Sequence, residues 1–320
     1  MDKVNEIKKA IDGANSIVIN VHRSPDLDSI GSSQALYQAV KSMGKKAVRI
    51  CPDTVPPSAS FLKYSHDIQM VAFETFDFSK FDLFLIADTG SLSQLNGNKD
   101  GFFPAIKSAV IDHHSVSTVP ATLKFVDTSA SSTAEILYSL FETWDVPIDQ
   151  EMATALLAGI LADSSMFRFS GSKVKPLETV IELMKLGADK EAIMEAMFSH
   201  IPIMKAKLYG TLLSEAEFDR ERGFIFAALP FEVYDEYGKP RGMRDSTSDY
   251  LRGIEGARFA VVGLEEKKGQ LILSFRSNGY DVSKLAQKIG GGGHVQAAGA
   301  IVSGTFEEAR QKVLDLLRSE

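Results

Sequence analysis

The residues able to do chemistry in this 320-residue chain are histidines and aspartates gathered in four short stretches. HRSPDLDSIGS offers His22, Asp26 and Asp28 within seven residues, directly after the apolar run Ile17 to Val21. LFLIADTG places Asp88 just after a second apolar run at 83–87, and AVIDHH places Asp112, His113 and His114 after a third at 108–111. The fourth stretch is helical, ALLAGILADSS, an apolar segment that closes on Asp163. A lone carboxylate in that setting is costly unless it is paired or holds a cation. Each stretch alone has a plain local explanation, since Asp caps helices, Pro25 stiffens a turn and neighbouring loop histidines are commonly solvated. Four of them delivering His and Asp to one sheet edge form a metal-ligand set. Imidazole and carboxylate without thiolate suit Mn²⁺, Mg²⁺, Co²⁺ or Fe²⁺ better than structural zinc, and about six ligands suffice for two ions sharing one carboxylate. Two ions roughly 3.5–4 Å apart clamp a phosphoryl group, lower the pKa of a bridging water and stabilise the departing oxygen. That is the chemistry of phosphate ester or anhydride hydrolysis. A Ser nucleophile is the weaker idea, because the chain has no G-x-S-x-G elbow.

The elements that must position these residues alternate strand and helix. Ile17 to Val21 reads as a buried strand, followed by a helix from near Ile30 to 43 closed by Gly44. Further strands are expected at Lys46 to Cys51, Asp82 to Ala87 and Ser108 to Ile111. This is the pattern of a parallel sheet with helices on both faces, where ligands bind at the carboxyl ends of the strands. Ser132 to Glu135 has the form of a capping box, and Asp149 suits the start of a helix through Leu161. Pro176 to Lys207 reads as helical, punctuated by Gly187 and Pro202. A second unit follows, with strands near 223–229, 258–265, 270–276 and 299–303, a helix at 282–289, the glycine run 290–293, and a last helix opened by the box Thr305 to Glu308. The expected fold class is therefore α/β: an N-terminal parallel-sheet domain at 1–190 carrying the metal site, a helical connector at 191–207, and a smaller C-terminal α/β domain with a mixed sheet at 208–320.

Composition narrows the classes of function. Hydrophobic residues at 44% and charged residues at 24% describe an ordinary globular chain. A net charge of −7 argues against coating duplex nucleic acid through a broad basic face, whereas a small anionic substrate fits a site whose metal supplies positive charge. Cys51 is the only cysteine, so one chain builds neither a disulfide framework nor a thiolate zinc cluster. The apolar runs are too short to span a bilayer and the N-terminus, MDKVNEIKKAIDGAN, has no signal-peptide core, so a cytoplasmic location without membrane partners is expected.

The order HRSPDLDSIGS, LIADTG, VIDHH and GILADSSMFRF resembles the four motifs of the DHH phosphoesterase family, and SFRS followed by GGGGHVQAAGA resembles that family's DHH-associated domain. The layout looks most like the stand-alone nanoRNases of the family, which degrade short oligoribonucleotides and often dephosphorylate 3′-phosphoadenosine 5′-phosphate. Single-strand exonucleases and cyclic-di-AMP phosphodiesterases are relatives that usually carry extra domains. The resemblance implies that His22 and Asp26 hold one Mn²⁺, that Asp28, His113 and Asp163 hold a second, and that Asp88 bridges them. Residues two apart in an extended turn face one cleft, which accords with Asp26 and Asp28 serving adjacent ions. His114 is then left to touch the substrate phosphate, and Asp112 to orient His113.

In the second domain, Gly291, Gly292 and Gly293 ahead of a short helix would let backbone N–H groups approach an anion, with His294 adding an imidazole. Arg276 could fork onto a phosphate or stack on a base, the plain alternative being a surface ion pair. Arg168 is similar, and Phe167 and Phe169 around it read as core. Departures from the family pattern are Gln94, near a position where an Arg is common, Ser117 in place of an Asn, and Leu27 in place of a small residue. They bear on substrate preference and leave the metal ligands untouched. The activity implied is hydrolysis of short single-stranded RNA to nucleoside 5′-monophosphates, and of the bisphosphorylated adenosine to AMP, with a homodimer left open. Cyclic-di-AMP or linear dinucleotide hydrolysis, inorganic pyrophosphate hydrolysis and a non-catalytic nucleotide-binding regulator are the alternatives. The pyrophosphatase reading is disfavoured by GGGGH, and the regulator reading by the presence of all six ligands.

Overall fold

The runs SIVIN, LFLIA and SAVID are apolar throughout because they form strands covered on both faces: β1 (Ser16–Asn20), β4 (Leu83–Ala87) and β5 (Ser108–Asp112). The computed structural model describes residues 2–97, 101–168, 174–199, 201–240 and 242–319, and its chain divides into two compact units, residues 1–200 and 201–320. With β2 (Lys46–Cys51), β3 (Ile68–Met70) and β6 (Leu123–Val126), these strands make a six-stranded, wholly parallel sheet in the order β3-β2-β1-β4-β5-β6. The order reverses between β1 and β4, so the loops leaving their carboxyl ends part in opposite directions and open a crevice.

The helices of this unit are α1 (Asp2–Gly13), α2 (Leu27–Ser42), α3 (Leu92–Asn96), α4 (Thr133–Thr143), α5 (Gln150–Asp163), α6 (Lys175–Lys185) and α7 (Lys190–Phe198). Helix α2 is buried on almost every side, against the sheet and against α4 and α5. It approaches α5 so closely that a Cβ on Gly31 would lie 2.2 Å from the Ala155 carbonyl oxygen, a contact only glycine permits. The core holds Ile17, Ile19, Leu83, Leu85 and Ile111 from the strands, with Ile30, Leu36, Leu156 and Leu157 from the helices.

In the second unit, α8 (Ile203–Ser214), α9 (Phe231–Glu236), α10 (Met243–Leu251), α11 (Val282–Lys288) and α12 (Phe306–Arg318) flank a mixed sheet. Its strands are β7 (Glu217–Asp219), β8 (Phe224–Leu229), β9 (Phe259–Lys267), β10 (Gln270–Ser277), β11 (Gly292–His294) and β12 (Ala297–Ser303), in the order β11-β12-β10-β9-β8-β7. Only β8 and β9 pair in parallel; the remaining neighbours are antiparallel. Alternate residues of β8 serve two cores, Phe224 and Phe226 packing with α11 and α12, Ile225 and Ala227 with α8 to α10.

The α/β class and both sheets match expectation, and three local readings change. Helix α2 opens at Leu27, capped by Asp26, which places Asp28 inside a helical turn and not in an extended one. Ser132 caps α4 by accepting from the Glu135 N–H (3.1 Å), but the Glu135 carboxylate accepts from the Ser131 N–H and hydroxyl, so the expected box is only half formed. Thr305 and Glu308 form both halves of theirs. The glycine run leads into a strand and no helix: Gly292 to His294 pair antiparallel with Gly299 to Ala297. No helix among the described residues is long and apolar enough to cross a membrane.

Candidate metal centre

Asn20 ends β1 and clamps it to β4: its side-chain carbonyl accepts from the Ala87 N–H (3.0 Å) and its amide donates to Thr89 Oγ1 (3.1 Å). Between those two contacts stands Asp88, with a left-handed φ of +54° that aspartate tolerates better than most residues. Its N–H is tied to the Ile111 carbonyl at the end of β5 (3.1 Å). The β1 loop supplies His22, pinned by Ser29 Oγ accepting from its N–H (3.0 Å). A carbonyl can only accept, so His22 Nδ1, 2.8 Å from the Arg23 oxygen, carries a proton and Nε2 is the nitrogen aimed at the crevice.

The two oxygens of Asp88 face different groups. Oδ2 lies 3.4 Å from His22 Nε2, which is also 3.6 Å from Asp26 Oδ2. Oδ1 lies 3.6 Å from His113 Nε2, which is 3.1 Å from Asp163 Oδ2. Ligand atoms of His22, Asp26 and Asp88 lie within 4.8 Å of one another, as do those of Asp28, His113 and Asp163, and those of Asp88, His113 and His114. His22 Nε2 is buried without a hydrogen-bond partner, the state of a nitrogen waiting for a cation. An oxygen and imidazole donor set with an orphaned, inward-facing nitrogen fits a divalent metal.

The electrostatics agree with that fit. Burial, then the charges of Asp88 and Asp163, raises the Asp28 carboxyl well above its ordinary range. Burial and the charges of Asp88 and Asp26 push Asp163 up to about 7. Burial lowers the His22 pKa, but Asp26 and Asp88 outweigh it and push the imidazole up to about 11. So many carboxylates facing one crevice favour any added positive charge, and a cation must displace these protons to bind.

Three expectations meet different surroundings. Asp112 does not stand against His113: its Oδ1 lies 2.7 Å from His114 Nδ1, which therefore donates to it, and this hydrogen bond raises the His114 pKa. His113 is lowered instead, chiefly by burial. Arg276 is held in an ion pair, Nη2 to Asp245 Oδ1 at 2.8 Å. Gln94 braces the site's loops, its side chain accepting from the Gly90 N–H and its backbone carbonyl from the Arg23 N–H. In the second unit Arg276, Gly292 and Gly293 line one pocket of about 310 Å³ with Arg244, Asp245 and Ser274, while His294 is exposed at the end of β11. Gly291 lies outside that lining and packs against β12. Arg168 follows a turn in which Ser165, Met166 and Phe167 all take left-handed φ. Phe167 packs on the core, and Phe169 lies outside the described residues.

Sequence reasoning missed Asn20 and Thr133. Thr133 Oγ1 donates to Asp88 Oδ1 (3.2 Å), and the N–H groups of Thr133 and Ala134 donate to the two oxygens of Asp28 (2.7 and 3.0 Å). Asn20 stands two residues before His22 but reads as the end of an apolar strand, and nothing in residue type or spacing ties Thr133 to the acidic motifs. Their partners are distant in sequence.

Residues 16–160 match the N-terminal domain of the DHH family and residues 224–320 match the DHHA1 domain. The bifunctional oligoribonuclease and PAP phosphatase NrnA of Thermus thermophilus is 30% identical over 325 residues, covering 100% of this chain and 94% of that protein. This chain belongs to the DHH family. A second relative, the bifunctional oligoribonuclease and PAP phosphatase NrnA of Bacillus subtilis, is 26% identical over 97% of this chain and 96% of its own. The crystal structure of an exopolyphosphatase-related protein from Bacteroides fragilis shares the fold, with a TM-score of 0.88 at 24% identity over 99% of this chain and 96% of the other.

Proposed function

We propose that this DHH-family chain is a phosphoesterase that hydrolyses short oligoribonucleotides to nucleoside 5′-monophosphates and 3′-phosphoadenosine 5′-phosphate to AMP, with two divalent cations, Mn²⁺ first among them. The observation that carries the reading is the Asp88 carboxylate, one oxygen facing His22 and the other His113. His22 and Asp26 would hold one ion, Asp28, His113 and Asp163 the second, and Asp88 both. When bound, such a pair supplies Lewis acidity toward the phosphoryl oxygens and an activated water.

The chain's own groups do the rest. His114 donates its Nδ1–H to Asp112, which favours the imidazolium, and the Nε2–H of that form would donate to a phosphate oxygen or pass its proton to the departing one. A substrate phosphate reaching Arg276 has to compete with Asp245 for the guanidinium, and Gly292 offers it bare backbone, since nothing lies within 4 Å of where a Cβ would stand. We assign the remaining contacts to Gly291, Gly293, His294 and Arg168. The names of the Thermus and Bacillus relatives support short RNA and the bisphosphate as substrates.

The test is hydrolysis by the purified chain with Mn²⁺, Mg²⁺, Co²⁺ or Fe²⁺ of RNA of two to ten nucleotides, 3′-phosphoadenosine 5′-phosphate, cyclic-di-AMP and pyrophosphate. Release of nucleoside 5′-monophosphates from the shortest RNA, and of AMP from the bisphosphate, is expected. Turnover of pyrophosphate or cyclic-di-AMP alone would replace this reading with the corresponding alternative.

A further inference from the structure

A carboxylate shared between two cations must keep one oxygen turned to each, and the terminal torsion of aspartate is a broad, nearly two-fold rotor that does not hold itself. The Ile111 contact fixes the main chain of Asp88, which takes a left-handed φ, and not the rotation of its carboxylate. What touches the carboxylate from outside the His and Asp cluster is the hydroxyl of Thr133, which donates to Oδ1 at 3.2 Å. Thr133 is fully buried in the first turn of α4. Its N–H donates to Asp28 Oδ2 at 2.7 Å, and the next N–H, of Ala134, donates to Asp28 Oδ1 at 3.0 Å. One residue therefore grips two carboxylates that belong to different motifs, its main chain holding Asp28 and its side chain Asp88. These first-turn N–H groups have no partner within α4, and with the positive dipole end of the helix they favour carboxylates that would otherwise repel one another.

We propose that Thr133 is a positioning residue of the metal centre: its hydroxyl sets the rotation of Asp88 so that the carboxylate spans two cations, while its N–H fixes Asp28 beside the second. The inference rests on the dinuclear reading of the site and adds a residue outside the ligand set. A buried threonine hydroxyl could serve only to satisfy itself, so the substitutions must separate hydroxyl from volume. Thr133→Val keeps the shape and removes the donor. Thr133→Ser keeps the donor and removes the methyl, and Thr133→Ala removes both, so the Ser and Ala pair isolates the hydroxyl even where Val disturbs folding.

The experiment is Mn²⁺ titration of the full chain, followed by calorimetry and by the electron paramagnetic resonance signal of the bound ions. The wild type is expected to take up two ions per chain with an exchange-coupled spectrum, and Thr133→Ser to reproduce it. Thr133→Val and Thr133→Ala are expected to bind the second ion roughly 10–100-fold more weakly, as loss of an outer-sphere partner does elsewhere, leaving an uncoupled spectrum at two equivalents. Equal affinity and coupling in Ser and Ala variants would overturn the role of Thr133 and leave the dinuclear reading intact. A wild type that binds fewer than two ions would overturn both.

Discussion

The crevice between β1 and β4 and the glycine-lined pocket of the second unit are built in opposite ways. In the crevice, side chains do the work: strand ends and helix ends deliver His22, Asp26, Asp88, His113 and Asp163, and the side-chain amide of Asn20 clamps the frame. In the pocket, backbone does it. A Cβ on Gly291 would lie 2.2 Å from the Gly299 oxygen, and one on Gly293 would lie 2.5 Å from the Ala297 oxygen, so these glycines are required by the approach of β11 to β12. The two arginines there are already paired, Arg276 with Asp245 and Arg244 with Glu266. A site made of side chains announces itself through residue type and spacing, whereas one made of backbone looks the same as a linker or a tight strand contact.

That contrast can be broken or sharpened experimentally. The largest effect is expected from Asp88→Asn, which removes the shared charge: loss of activity on every substrate and a fall of more than about 100-fold in affinity for the second ion, measured by titration, because outer-sphere losses alone reach 10–100-fold. Gly159→Ala comes next. Its Cβ would stand 2.4 Å from Asp28 Oδ1 and 2.8 Å from Ala134 Cβ, so a destabilisation of about 1–3 kcal/mol by thermal melting should come with weakened metal binding. Gly291→Ala is equally crowded but stands in the second unit, beside the pocket and against β12, and should cost about the same stability while sparing the metal titration. His113→Ala should abolish all hydrolysis, whereas His294→Ala should spare small aryl phosphodiesters and lose nucleotides. Equal loss on both substrate types would show that the two regions do not divide the work as described.

The smallest effect is a pH slope. With Asp163 raised to about 7, its contribution to the stability of the metal-free fold is complete below the ordinary carboxylate pKa and is lost as the pH rises through about 7. His22, raised to about 11, drifts the same way from its ordinary value upward. The chelated protein should therefore melt lower at pH 8 than at pH 6, less so in Asp163→Asn, and Mn²⁺ should restore it at pH 8. A flat melting temperature across that interval would mean that burial and the neighbouring carboxylates do not hold Asp163 above its ordinary range.

The fold was legible where burial writes a continuous signal: β1, β4, β5 and the helix capped by Asp149 stand in apolar runs, and the helix capped by Thr305 shows one apolar face behind its capping box. It was illegible where tertiary pairing decides. The edge strands β3, β6 and β7 have three or four residues each, too few for any periodicity, and β11 consists of two glycines and a histidine held only by β12. In the site, the His and Asp residues could be read off, and their hydrogen bonds could not. Asp112 was expected beside its neighbour His113, yet the turn after β5 presents His114 to it. Thr133 lies 45 residues from Asp88 and 105 from Asp28, and only the packing of α4 reveals that it touches both.

The central claim is that one carboxylate, Asp88, joins two cation sites in the crevice between β1 and β4. Anomalous diffraction from crystals grown with Mn²⁺ tests it most directly. Two peaks roughly 3.5–4 Å apart are expected, one beside His22 and Asp26, the other beside Asp28, His113 and Asp163, with Asp88 between them. A single peak, or manganese bound away from Asp88, would contradict it.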